Sequence, residues 1–252
     1  MSTRVAVLGA RGRMGAAACA AVEGADGLEL VARVDRGDSL AALVEAAAEV
    51  AVDFTRPDVV LDNVEWCVRN GISMVVGTSG FTDERLEHVR RLLGDRSDVG
   101  VLVVPNFSVG AVLAMRFARQ AAPFFESVEV VEMHHPDKVD APSGTARRTA
   151  ALVAAARAEA GLGPVLDATT DDPAGARGAR VDGIAVHAMR MRGLTASQEV
   201  VFGGPGETLT LRHDSHDRAS FLPGVLAAVR AVADHPGLTG LTVGLDTVLG
   251  LD

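Results

Sequence analysis

The stretch Val5-Ala6-Val7-Leu8-Gly9-Ala10-Arg11-Gly12-Arg13-Met14-Gly15 reads as a strand, a tight turn and the start of a helix. The unbroken apolar run Val5 to Leu8 suits a strand buried on both faces, as in a parallel sheet. Gly9 permits a sharp turn, Gly12 lets the backbone approach a pyrophosphate, and Gly15 lets helix and strand pack closely. The helix N-terminus favours the anion. The spacing is G-x-x-G-x-x-G rather than G-x-G-x-x-G, so its weight comes from its place in a first strand–helix unit.

The residues around this turn repeat the same alternation. Strands are expected at Arg4 to Gly9, Leu28 to Asp35, Val50 to Thr55, Ile72 to Gly77 and Val99 to Pro105. Helical stretches lie between them at Met14 to Glu23, Pro57 to Asn70 and Asp83 to Leu93. The last has Thr82 as N-cap, Asp83 and Glu84 in its first turn, and Arg90 and Arg91 near its end, all suited to the helix dipole. Strands alternating with helices predict an α/β fold with a Rossmann-type doubly wound parallel sheet. Asp35 closes the second strand, where an acid takes the adenosine ribose hydroxyls and favours NADH. Arg36, Arg11 and Arg13 stand close by, and any of them could hold the 2′-phosphate of NADPH. Two further strand ends, Gly77-Thr78-Ser79-Gly80-Phe81 and Pro105-Asn106-Phe107-Ser108, should line the nicotinamide side.

After Asn106 the pattern changes. A helix at Val109 to Phe124 leads to a strand at Val128 to His134, a loop, and an alanine-rich helix at Thr145 to Ala160. Gly161 to Gly178 reads as loop. Strands follow at Ile184 to Met189, Glu199 to Phe202 and Thr208 to His213, with Gly203 to Gly206 as a turn. Strands in succession predict a second α+β domain with a mixed sheet. A final helix at Leu222 to Asp234 should return to the first domain. The expected division is residues 1–106 with 216–252, and residues 107–215.

Composition narrows the function. A net charge of −9 disfavours nucleic acid and acidic membranes, though not a small anionic ligand. No apolar run is long enough to span a membrane, and the N-terminal residues lack a signal-peptide pattern. Cys19 and Cys67 lie in helix-like contexts without a motif, which fits a reducing, cytoplasmic compartment. Of 24 lysines and arginines, only Lys138 is a lysine. A lysine retained amid such a bias toward arginine marks a place where a compact ammonium with a tunable proton is wanted.

Its neighbours strengthen that reading. In Glu132-Met133-His134-His135-Pro136-Asp137-Lys138-Val139-Asp140-Ala141-Pro142-Ser143-Gly144-Thr145, two histidines and the lysine lie just before a helix start. Ser143 is a good N-cap, and the amides of Gly144 and Thr145 make an anion seat. A carboxylate bound there would bring a small substrate to groups able to donate protons. Adjacent histidines point different ways and no third ligand stands at a recognised spacing, so no metal is expected.

The string HHPDKVDAPSGTA resembles the signature of the dihydrodipicolinate reductase family. GARGRMG, VDFT, GTSGF, PNFS and FGGPGETLTLRHDS resemble that family in the same order, so the likeness spans the chain. It implies NADH- or NADPH-dependent reduction of a small cyclic dicarboxylate in the diaminopimelate route to lysine, by a homotetramer. The second domain would then bind substrate and build the tetramer. The short connection between the second and third strands looks like the compact, actinobacterial-type branch. By position, His134 resembles the family's proton donor or acceptor and Lys138 its second proton donor, with His135, Gly144 and Thr145 at the substrate. Gly9, Ala10, Arg11, Gly12, Arg13, Met14, Asp35, Gly77, Thr78, Ser79, Val104, Pro105, Asn106 and Phe107 match its cofactor contacts. Ser79 stands where threonine is common, and Ser197 where a histidine is usual. An aldehyde dehydrogenase on the same architecture would want a cysteine in the second domain, and both cysteines precede it. A non-catalytic dinucleotide sensor would have no use for His134 and Lys138 beside an anion seat.

Overall fold

The computed structural model describes residues 2–234 and 238–251. The chain divides into two compact units, Met1–Val109 with Arg218–Asp252, and Gly110–Asp217.

The first unit is built on β1 (Thr3–Leu8), β2 (Leu28–Val34), β3 (Val50–Asp53), β4 (Ser73–Val76), β5 (Gly100–Val103) and β11 (Gly240–Val243). They form one parallel sheet in the order β11-β5-β4-β3-β1-β2. The order reverses at β1, which has β2 on one side and β3 on the other. In open parallel sheets ligands lie outside the carboxyl ends of the strands at such a reversal. Every residue of β3, β4 and β5 is buried, which is why these strands read as continuous apolar runs rather than alternating ones. Helices α1 (Arg13–Glu23), α2 (Ala41–Glu45), α3 (Val60–Arg69), α4 (Asp83–Leu93) and α7 (Leu222–Ala233) belong to the same unit. Val60, Val64, Val68, Val89 and Leu93 of α3 and α4 join Leu8, Met74 and Val101 in its core. α4 is capped by the Thr82 hydroxyl, which accepts from the Arg85 amide.

Differences from the expected elements have local causes. The strand expected to Thr55 stops at Asp53, whose carboxylate turns back to accept from the Thr55 amide at 2.9 Å. The helix expected from Pro57 starts at Val60, after a turn in which Val59 and Val60 donate to the Arg56 carbonyl. α2 and β11 are too short, at five and four residues, for periodicity to register.

The second unit contains α5 (Val109–Ala121), β6 (Ser127–His134), α6 (Gly144–Glu159), β7 (Ala179–Val181), β8 (Ile184–Arg190), β9 (Ala196–Gly204) and β10 (Glu207–Ser215). Its sheet runs β10-β9-β6-β8-β7, with β6 parallel to β8 and the other pairs antiparallel. The mixed sheet is therefore as expected, with β7 added at its edge. Ala146, Ala150, Val153 and Ala156 of α6 pack on Val128, Val130, Val186, Val200 and Phe202. Small alanines let the helix approach the sheet closely. Buried Arg157 of α6 donates to the carbonyls of Phe125 and Glu126, fastening the connection before β6 to the helix. On the opposite face of the sheet lie Glu129, Val131, Glu199, Val201 and Arg212. There the loop residue Arg177 pairs with Glu129, which also binds His187. No helix among the described residues is long and apolar enough to cross a membrane.

Candidate active site

Two groups of functional side chains emerge, one in each unit. In the first, the turn after β1 has the geometry its glycines predict. Gly9 has φ +76°, a conformation that strains any residue with a Cβ, and a Cβ there would stand 2.5 Å from the Phe54 carbonyl oxygen. At Gly15 a Cβ would stand 2.0 Å from the Gly9 oxygen, so α1 crosses the strand end at backbone contact. Gly12 differs: its Cβ would meet only the Gly9 oxygen, at 3.1 Å, and its other surroundings are open. α1 begins at Arg13 with no side chain capping it and no acid in its first turn. An uncapped helix start beside an open glycine fits an anion such as a pyrophosphate.

Asp35 follows β2 and turns toward this loop. Its carboxylate accepts from the Arg11 amide at 2.6 Å and the Arg36 amide at 2.8 Å, and these bonds hold its pKa below the usual carboxylate value. Arg11 reaches Asp38 at 3.8 Å. Ala10, Met14 and Arg13 complete the turn and the first residues of the helix.

The ends of β3, β4 and β5 share the same edge of the parallel sheet. Asp53, wholly buried, accepts from the hydroxyls of Thr55 and Thr78, both at 2.7 Å, and from the Asn63 amide at 2.8 Å. The carboxylate thus fastens the turn after β4 to that after β3. Gly77 is wedged between the rings of Phe54 and Phe107, where a Cβ would come within 2.3 Å and 2.7 Å of ring carbons. Ser79 is exposed, as is Pro105, while Val104 and Phe107 are buried. The Asn106 side chain accepts from the Ser108 amide at 2.8 Å and shapes that turn. Every proposed cofactor contact therefore lies at the carboxyl end of β1, β2, β4 or β5.

In the second unit, the informative stretch begins at the end of β6. His134 ends the strand, and a turn closed by the Lys138 amide on the His135 carbonyl follows. The chain then reaches Ser143, whose hydroxyl accepts from the Ala146 amide at 3.2 Å and caps α6. Gly144 is exposed, with nothing within 4 Å of a Cβ placed there, so a ligand can approach the helix start closely. Thr145 is half-buried beside it. The side chains of His134 and Lys138 are only 13% and 25% exposed, so neither is turned out into bulk solvent.

Their partners are specific. His134 Nδ1 lies 2.6 Å from a carboxylate oxygen of Glu132, and Lys138 pairs with Asp140. Arg190, at the end of β8, grips Glu132 with both terminal nitrogens, at 2.7 Å and 2.8 Å, and also donates to the Asp140 carbonyl. The Ser143 amide donates to Glu132 at 3.1 Å. Burial acts to raise the Glu132 carboxyl, but bonds from Arg190 and His134 outweigh it and hold the pKa below its ordinary value. Burial pushes the His134 imidazole down; Glu132 opposes this, while Lys138 and Arg190 add to it, and the pKa settles below the ordinary histidine value. Lys138 holds the Asp140 carboxyl below the usual range.

Glu132, Arg190 and Asp140 are additions to the set anticipated from the sequence. Glu132 carried a signal: it is an acid on the strand face that otherwise bears Val128 and Val130. Arg190 carried none, because only the register that sets it opposite His134 brings it there. Among the described residues no group of three or more His, Cys, Asp or Glu side chains is placed to hold a metal ion. Both cysteines are buried in the first unit.

Two family models match the chain: "Dihydrodipicolinate reductase, N-terminus" over residues 3–107, and "Dihydrodipicolinate reductase, C-terminus" over residues 110–249. A protein of Nocardia farcinica named 4-hydroxy-tetrahydrodipicolinate reductase is 60% identical, with all of both chains aligned. One of the same name from Streptomyces griseus is 59% identical over 99% of this chain and 98% of its own. The solved structure of a dipicolinate-bound dihydrodipicolinate reductase from Paenisporosarcina superposes with a TM-score of 0.84 at 38% identity, covering 98% of this chain and 99% of that one.

Proposed function

The chain belongs to the dihydrodipicolinate reductase family, and from that membership we propose that it reduces 4-hydroxy-tetrahydrodipicolinate to tetrahydrodipicolinate in diaminopimelate and lysine biosynthesis. The observation that carries the residue roles is the meeting of His134, Lys138 and the exposed start of α6 in one unit. The reduced nicotinamide of NADH or NADPH supplies the hydride when bound. Loss of the 4-hydroxyl of the substrate as water, with a neighbouring ring proton, leaves a cyclic imine conjugated to an alkene, and that ring accepts the hydride at an electron-poor carbon. One proton must then reach the ring, and the imidazole of His134 handles it. Lys138 offsets negative charge developing toward the ring nitrogen and can give a proton there. The amides of Gly144 and Thr145, set by the Ser143 cap, seat one ring carboxylate, with His135 alongside. A solved relative is bound to dipicolinate, a planar ring with two carboxylates, which supports a cyclic dicarboxylate as the class of substrate.

Gly9 to Met14 hold the pyrophosphate, Asp35 the adenosine ribose, and the turns at Gly77 to Ser79 and Val104 to Phe107 the nicotinamide half. The Asp35 carboxylate, oriented by the Arg11 and Arg36 amides, offers its remaining lone pairs to ribose hydroxyls, and with Arg11, Arg13 and Arg36 beside it both NADH and NADPH are used. The enzyme works in the cytoplasm, a reading that the two unpaired, buried cysteines support. It assembles as a homotetramer, supported by the face of the mixed sheet opposite α6, where Val131 and Val201 alternate with charged residues. The test is oxidation of NADH and NADPH with freshly generated substrate, with pyridine-2,6-dicarboxylate as competitor, alongside light scattering for mass. Substrate-dependent oxidation blocked by the dicarboxylate is expected; absence of turnover with either nucleotide overturns the proposal.

A further inference from the structure

We propose that the buried Glu132–Arg190 pair is a positioning device for His134, fixing the imidazole with its proton on Nδ1 so that Nε2 is the nitrogen that exchanges protons with substrate. The inference rests on the reading that His134 transfers a proton, and extends it to residues that touch neither substrate nor cofactor.

Glu132 has no accessible surface and occupies a strand position whose neighbours on the same face, Val128 and Val130, are core. A carboxylate is costly there unless every lone pair is used. Here both oxygens are doubly engaged. One accepts from His134 Nδ1 and one Arg190 nitrogen, the other from the second Arg190 nitrogen and the Ser143 amide. An ionised carboxylate only accepts, so Nδ1 must be the donor and neutral His134 keeps a bare Nε2. The same carboxylate holds the Ser143 amide at the cap of α6. One buried group therefore sets both the orientation of the imidazole and its register with the helix start.

Arg190 gives the device its second function. A lone buried carboxylate against an imidazole would draw a proton onto it strongly. The fork of Arg190 neutralises that pull while leaving the hydrogen bond in place. The charged groups facing His134 are Glu132 on its own strand, Arg190 on β8 and Lys138 in the following loop. Removing one member of the pair should therefore move the His134 titration in one direction, and removing the other in the opposite direction.

The first measurement is a nitrogen-15 histidine spectrum of the intact wild-type protein above the imidazole pKa. The Nδ1–H tautomer at His134 is expected; a resident Nε2–H tautomer overturns the proposal, whatever the enzyme's activity. The second is the pH profile of kcat/KM for Glu132→Gln and Arg190→Met. The limb reporting His134 should move down by about one unit in the first and up by about one unit in the second. Glu132→Gln should also cut kcat roughly 100-fold with NADH affinity unchanged. A merely structural pair would lower activity in both variants without opposed displacements, and that result overturns the proposal. An Nδ1–H tautomer together with unmoved limbs overturns it by a different route, because His134 is then not the proton-transfer group. The wild-type spectrum needs no variant to fold.

Discussion

Replacing Gly15 with alanine tests the glycine turn as a piece of packing. The added Cβ would sit 2.0 Å from the Gly9 carbonyl oxygen and 2.7 Å from its carbon. A carbon–oxygen contact relaxes only near ~3.4 Å, so α1 and the turn must part by more than about 1 Å. Both obstructing atoms are backbone, so no side chain can swing away. Overpacking of this kind costs about 3 kcal/mol, the upper end of the usual range. Alanine returns up to about 1 kcal/mol through helix propensity. The net loss of about 2 kcal/mol corresponds to a fall in Tm of roughly 4–8 °C. Displacing the Gly9 carbonyl and the first helical amides should also weaken NADH binding by at least about tenfold. Gly12→Ala is the matched control. Its φ of −69° suits alanine and its only close neighbour is at 3.1 Å, so stability should change by less than about 1 kcal/mol while NADH affinity falls comparably. Thermal melts and fluorescence titration with NADH read both quantities. Wild-type Tm and affinity in Gly15→Ala, or equal destabilisation by both substitutions, would refute the reasoning.

Further substitutions separate the other roles. Lys138→Arg keeps the charge but removes the compact ammonium, and should lower kcat by at least about 100-fold with nucleotide affinity intact; an unimpaired variant removes the role assigned to this lysine. Asp35→Ala should weaken NADH more than NADPH, shifting the ratio of their kcat/KM values by roughly tenfold, and an unchanged ratio argues against ribose recognition there. Asp214, bonded chiefly by Arg212, has its carboxyl lowered from 3.8 to about 2. The depressed value favours the ionised, folded form, so this stabilisation is complete above pH 3.8 and lost as pH falls toward 2. Urea melts of Arg212→Met should therefore show a stability deficit at neutral pH that closes across that window, and a pH-independent deficit would contradict the pairing.

What could be read ahead of the structure follows from the range of each interaction. The turn at Gly9 to Gly15 is governed by contacts a few residues apart, and the caps at Thr82 and Ser143 by contacts at three residues, so sequence spacing carries them. Buried strands such as Met74–Val76 announce themselves as apolar runs. β11 is invisible for the opposite reason: four half-buried residues at a sheet edge have neither a run nor an alternation, and only pairing with β5 makes them a strand. The same holds in the candidate site. His134, Lys138 and Ser143 share one stretch of chain, whereas Arg190 meets them through strand register, and the use made of Glu132 depends on Arg190 being there.

The sheet carrying the glycine turn is finished only by the last segment of the chain. α7 packs against β3, β4 and β5, and β11 closes the edge beside β5, yet both follow the whole of Gly110–Asp217. During synthesis the ribosome must deliver that intervening segment first, a delay on the order of ten seconds at ordinary elongation rates. Throughout it, the early strands lie bare along the flank α7 will occupy, while the inserted segment, continuous in sequence, can condense alone. Nascent chains stalled before Leu222 should consequently fail to retain nucleotide, although the missing piece supplies none of the residues assigned to grip it.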